Sequence, residues 1–222
     1  RIVVVNEKYY PNVSGGAEKS VRFLCEGLTE LGHNVSVITY YNGRNFKTSF
    51  INGVEIYQLP FSNIYYPFDN SQKKTKISKY LYRFVDGLNF LMASKIVELV
   101  QKIKPNVVHT NNLFGMGPLL LKKIHKLGYP IVHTIRDYFF MCPYNSRFNN
   151  GKVCLTTCTS CKPLHFLYGR YSQYVDSVVG VSKHILNKHC KSGFFKNARH
   201  YQIFNSFIAK DQYNKRKISK ST

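Results

Sequence analysis

The chain has 222 residues, 44% of them hydrophobic, and carries 32 lysines and arginines against 11 acids for a formal charge of +21. That length and apolar content suffice to bury a large core as one domain. No run of about 18 uninterrupted apolar residues occurs, which excludes a membrane-spanning helix, and the charge calls for an anionic partner: nucleic acid, an acidic membrane surface or a phosphate-rich ligand.

Residues 2–5 are a continuous β-branched run, as expected of a strand buried on both faces of a parallel sheet. From Gly16 the period changes. Val21, Leu24, Cys25, Leu28 and Leu31 share one helical face, Lys19, Arg22, Glu26 and Glu30 the other, and Gly32 ends the helix. Residues 35–40 form a second strand, so the opening reads as a right-handed parallel crossover. Working groups in such sheets sit beyond the carboxyl ends of the strands, here the loop over 6–16. Gly15 and Gly16 lack a Cβ there, and the amides of the first helical turn suit an anionic or polyhydroxyl ligand. The alternative is an ordinary turn whose glycines supply positive φ. The dinucleotide spacing GxGxxG is absent.

Residues 42–49 read as a polar, turn-rich loop and 54–59 as a third strand. Asn63, Tyr65, Tyr66 and Phe68 follow in an aromatic loop that either lines a cleft or covers the sheet edge. Lys73, Lys74, Lys76, Lys79 and Arg83 concentrate positive charge, with no acid between Asn70 and Val85, and face either solvent or an anionic membrane. They lead into a long helix with apolar positions at Ile77, Leu81, Phe84, Leu88 and Leu91, continuing through Met92, Ile96, Leu99 and Ile103. The seam drifts, which predicts a kink near Gly87. Pro105 ends the helix.

Residues 107–110 form the fourth strand, with His109 and Asn111 at its carboxyl end and Gly115 and Gly117 beyond. After a helix over 118–127 comes a fifth strand over 131–135, closing with Arg136 and Asp137. Cys142, Cys154, Cys158 and Cys161 then stand with eleven, three and two residues between them. Four thiolates at these positions can close one structural zinc site; the alternatives are disulfides or unpaired thiols. An amphipathic segment over 164–174, a strand over 177–181, a helix over 182–191 and a strand over 201–204 complete the chain. The expected fold is α/β, a doubly wound, mostly parallel, Rossmann-like sheet, with one domain over 1–207 and a basic polar tail or start of a linker over 208–222.

Several segments occur in a telling order: Pro11, Gly15-Gly16-Ala17-Glu18, LTELGHNVSV at 28–37, PNVVHTNN at 105–112, PIVHTIRDYFFMCP at 130–143, VVGVSKHI at 178–185 and IFNSF at 203–207. In this order they resemble the N-terminal domain of family 4 glycosyltransferases, over residues 2–207. The resemblance implies two doubly wound domains facing a cleft, this chain being the acceptor-binding one and the donor-binding C-terminal domain lying outside it. It implies a retaining transferase that moves sugar from a nucleotide sugar to a glycan or glycolipid acceptor in polysaccharide or glycolipid assembly. No catalytic cofactor is implied, and neither is activity without the donor-binding half. By position, Gly15 and Gly16 would approach the donor phosphates, while Glu18, His109 and Asp137 would line the acceptor side. The family commonly has His-Asp where this chain has Arg136-Asp137, and an arginine stays protonated and cannot act as a base. The expected place is the cytoplasm, peripheral on the cytoplasmic face of a membrane. Two other readings remain: a non-enzymatic nucleic-acid binder, suggested by charge but lacking aromatic-basic RNA motifs, and a truncated, inactive domain.

Overall fold

The computed structural model describes residues 1–12, 15–69, 75–142, 145–149 and 151–205. The basic positions Lys73 and Lys74, and the segment 206–222 that includes the expected tail, lie outside them. The chain runs β1 (Ile2–Val5), α1 (Gly16–Glu30), β2 (Val35–Tyr41), β3 (Lys47–Ile51), β4 (Val54–Pro60), α2 (Lys76–Gly87), α3 (Phe90–Ile103), β5 (Val107–Thr110) and α4 (Leu119–Lys126). It continues through β6 (Ile131–Ile135), β7 (Phe148–Asn149), β8 (Lys152–Val153), α5 (Lys162–Ser172), β9 (Ser177–Gly180), α6 (Lys183–Lys191) and β10 (Arg199–Gln202).

Eight strands form one sheet in the order β10-β9-β6-β5-β1-β2-β4-β3, parallel except for the β3–β4 pair. The β-branched run of β1 sits at its centre between β5 and β2, as its lack of alternation requires. Successive side chains point to opposite faces, so β1 serves two cores. Val4 packs with Val35, Val37 and Val54 against Val21 and Cys25 of α1. Val3 and Val5 join Met92 and Ile96 of α3, Leu120 and Ile124 of α4, and Leu164 and Tyr168 of α5. The sheet is doubly wound.

The structure corrects the sequence reading at β3 and at Arg83, and it sharpens the reading of the helix over Gly87. The segment read as loop over 42–49 contains β3, which folds back on β4 through Asn52 and Gly53, both at positive φ (51° and 79°). This Asn-Gly pair is the signature of a two-residue hairpin turn. The kink expected near Gly87 is a full break, with α2 ending at Gly87, α3 starting at Phe90 and Asn89 Oδ1 accepting from Met92 N at 3.0 Å to cap α3. The apolar stripe of α2 faces outward: Ile77, Leu81, Phe84, Leu88 and Leu91 are all exposed. The buried side of α2 carries Tyr82, Arg83, Asp86 and Gly87. Arg83 is therefore not a surface cation. It is 2% exposed and pairs with Asp86 at 3.6 Å while its guanidinium lies over the Phe114 and Phe139 rings.

Candidate functional site

Because β6, β5 and β1 are neighbours in the sheet, the loops leaving their carboxyl ends converge. Glu7 leaves β1, Asn112 leaves β5 and Asp137 leaves β6. Asn112 joins them: its Nδ2 donates to Glu7 Oε1 at 3.0 Å and reaches Asp137 Oδ2 at 3.5 Å. Its backbone N donates to Asn6 Oδ1 at 3.0 Å, and Glu7 N donates to Asn112 O at 3.1 Å. Asp137 Oδ1 accepts from Phe139 N at 2.8 Å, which fixes the carboxylate against its own loop.

Two carboxyls this near, in a water-poor place, resist ionising together. Burial, then the charges of Asp137 and Glu18, push Glu7 up to about 8. Burial also raises Asp137, opposed by the Phe139 N–H and by Arg83. At neutral pH Glu7 is mainly a protonated acid, and carboxyl groups here can both donate to and accept from a hydroxyl-rich ligand.

Next to this pair opens a cavity of about 550 Å³, lined by Lys8, Tyr9, Tyr40, Tyr41, Tyr66 and Phe68 among others. Tyr66 and Phe68 belong to the aromatic loop, so that loop lines a cleft rather than capping an edge. The rings support each other: Tyr40 stands edge-on to Tyr66 at 6.1 Å and Phe61 edge-on to Tyr66 at 5.4 Å. Lys8 Nζ sits 3.4 Å from the Phe68 ring centroid.

The glycine loop flanks the same edge. Gly15 has φ of −157°, ordinary extended backbone, and neither Gly15 nor Gly16 is at positive φ, which removes the turn explanation for them. A Cβ added at Gly16 would meet nothing within 4 Å, so the missing side chain leaves open space above the start of α1. Glu18 does not project into that space. Its Oε2 accepts from Gly15 N at 2.8 Å and caps the helix, and the side chain is buried.

Arg136 and His109 are placed elsewhere. They line a separate cavity of about 320 Å³ with Phe23 and Leu24 of α1 and with Phe204 and Asn205. Arg136 Nε donates to Asn111 Oδ1 at 3.1 Å and Nη1 to Asn205 Oδ1 at 2.9 Å. Burial lowers it to about 10, which leaves it charged at neutral pH. His109 Nε2 is 2.8 Å from Thr134 Oγ1, and burial with the nearby Arg136 charge pushes it down to about 4, so it is neutral. Of the residues marked in sequence, Asp137, Gly15 and Gly16 thus share one edge, while Arg136 and His109 share another cavity. Glu7 and Asn112 were missed.

In the cysteine loop, Cys158 Sγ and Cys161 Sγ lie 2.7 Å apart, Cys142 is buried and Cys154 half-buried. Among the described residues no three His, Cys, Asp or Glu side chains gather into a metal-holding group. Arg147 organises this loop, donating from Nη2 to the carbonyls of Cys154 at 2.5 Å and Leu155 at 3.0 Å.

The profile of Glycosyltransferase Family 4 matches residues 14–205. The chain belongs to that family. This family 4 domain is 36% identical over 205 residues to an uncharacterized 42.6 kDa protein in the cps region of Klebsiella pneumoniae, covering 92% of the chain and 55% of that protein. It is 33% identical over 139 residues to alpha-monoglucosyldiacylglycerol synthase of Acholeplasma laidlawii, covering 63% of the chain and 30% of the relative. The domain thus spans about half the length of the first relative and less of the second. Its fold is that of half of sucrose-phosphate synthase from Thermosynechococcus elongatus (TM-score 0.56, 13% identity, 91% of this chain and 47% of that one). It likewise resembles part of a UDP-forming trehalose-phosphate synthase from Burkholderia xenovorans (TM-score 0.51, 9% identity, 89% and 42%).

Proposed function

We propose that this domain is the acceptor-binding half of a retaining glycosyltransferase that takes its sugar from a nucleotide sugar. The observation that carries the reading is the aromatic cleft of Tyr9, Tyr41, Tyr66 and Phe68 beside the Glu7–Asn112–Asp137 cluster, in a chain that belongs to glycosyltransferase family 4. Aromatic faces pack against the apolar faces of sugar rings, and carboxyl and amide groups take the hydroxyls around the rim. The acceptor is a glycan or glycolipid. The open backbone at Gly16 and the first-turn amides of α1 face the donor diphosphate, where helix N-termini favour negative charge.

In this reading the domain acts by placement. Asp137 accepts a hydrogen bond from the acceptor hydroxyl and holds it toward the anomeric carbon, and Asn112 keeps that carboxylate oriented. Glu7, protonated at neutral pH, adds no negative charge beside Asp137. The donor-binding wall of the cleft is supplied by sequence outside this chain.

The test is titration of the chain with short oligosaccharides and glycolipid headgroups by calorimetry. Weak binding that Tyr66→Ala and Phe68→Ala abolish, with the unfolding midpoint retained, is expected. Saccharide binding that neither substitution alters would place the acceptor elsewhere and overturn the assignment.

A further inference from the structure

The exposed stripe of α2 calls for an occupant. Ile77, Leu81, Phe84 and Leu88 form a row along its outer side, and Phe90 and Leu91 continue it onto the first turn of α3, with exposures from 42% to 74%. At 100° per residue the α2 part of this row lies about 170° from Asp86 and about 130° from Arg83, so it points away from the packed interior. Monomeric proteins seldom leave so continuous an apolar strip in water.

Charge defines which partner fits. Across α2, α3, α4 and α5 the acids are Asp86 and Glu98. Asp86 is wholly buried, and Glu98 Oε1 accepts from Lys102 Nζ at 2.7 Å. Against these stand many cations. Lys123 of α4 sits 3.3 Å from the centroid of the exposed Phe90 ring, a cation on the margin of the apolar row. Lys79 on α2 and Lys162 and Arg170 on α5, which packs against α2, are exposed. An apolar row among cations, free of exposed unpaired carboxylates, matches the boundary layer of a bilayer with anionic headgroups. No helix of the described residues is long and apolar enough to cross a membrane, so the contact is one of lying on its surface.

We infer that the outer face of α2 with the start of α3 docks onto an anionic lipid bilayer. The same helix is tied inward to the loops of the candidate site. Arg83 Nη2 donates to Phe139 O at 3.2 Å, two residues past Asp137, and Asp86 Oδ2 accepts from Gly115 N at 3.1 Å in the loop after β5. The docking face and the site loops are thus tied together through one helix. The inference stands independently of sugar transfer, because lipid binding is read with lipid alone.

The experiment is flotation of the chain with phosphatidylcholine vesicles with and without phosphatidylglycerol, over a salt series. Binding should require phosphatidylglycerol and fade as salt rises. The double change Leu81→Ser/Leu88→Ser should abolish it while far-ultraviolet dichroism and the unfolding midpoint hold, since both side chains are exposed. Lys123→Gln should weaken it about five-fold, the share of one cation near an anionic surface. Equal flotation with neutral vesicles, or binding unaffected by the two serines, would overturn the inference. So would sedimentation showing that this face instead joins two copies, with vesicles unbound.

Discussion

Asn112 Nδ2 donates to Glu7 Oε1 at 3.0 Å, tying the loop after β5 to the loop after β1 across the centre of the sheet. The same amide reaches Asp137 at 3.5 Å, so one neutral side chain bridges both carboxyl groups. Replacing it with alanine leaves both buried without that donor. Asn112→Ala should cost about 1 to 3 kcal/mol in urea unfolding, the range for an orphaned buried polar group.

Glu7 gives the fold a pH signature. Its carboxyl titrates near 4.5 in the unfolded chain and near 8 in the fold, so between those values the folded state binds more protons than the unfolded one. Stability therefore falls as pH rises through that window, by at most about 1.4 kcal/mol per unit for one proton, and levels off above it. Glu7→Gln should flatten this slope and leave the protein more stable than the parent at pH 8.5. Unfolding midpoints across the window, compared between parent and variant, check it; an unchanged slope in the variant would place the titrating group elsewhere.

Arg83 and Asp86 form a buried pair whose members need each other. Arg83→Ala removes a guanidinium that lies against Phe139 and leaves Asp86 in a dry site. The expected loss is about 3 to 5 kcal/mol by chemical denaturation. Because Arg83 also holds the Phe139 carbonyl, acceptor binding should weaken in the same variant under conditions where it remains folded.

Two glycines separate folding from function. Gly117 has φ of +72°, and a Cβ there would collide with the Asp86 backbone oxygen, so Gly117→Ala should prevent stable folding. Gly16 has open space and no positive φ, so Gly16→Ala should shift stability by no more than about 0.5 kcal/mol. If the diphosphate approaches that backbone, the Gly16 variant should lose transfer in the two-domain enzyme despite its intact fold.

The alternation of strands and helices was legible because buried parallel strands read as apolar runs and because glycines mark the helix ends. The β3–β4 hairpin left a signal in Asn52-Gly53 that the reading of 42–49 as a loop passed over, because the edge strand before it is polar and its side chains face water. The sidedness of α2 was not legible. Periodicity identifies an apolar stripe without saying that it faces the core, and here the helix buries an ion pair on the opposite side. Nor were Glu7 and Asn112 legible as partners, since they are 105 residues apart and meet only because β1 and β5 are adjacent. Arg136 and Asp137, neighbours just past the end of β6, take different partners, Arg136 bonding Asn111 and Asn205 and Asp137 bonding Asn112 and the Phe139 amide.

The central claim is that this chain supplies one wall of a transferase and that transfer needs the other wall as well. Placing both reactants accounts for about 7 to 11 kcal/mol of catalysis, a contribution that one wall cannot provide. The direct measurement is sugar transfer from nucleotide sugars to candidate acceptors by the purified 222-residue chain, alone and joined to a donor-binding half. The account predicts acceptor binding without turnover for the chain alone and turnover for the joined protein; turnover by the chain alone would contradict it.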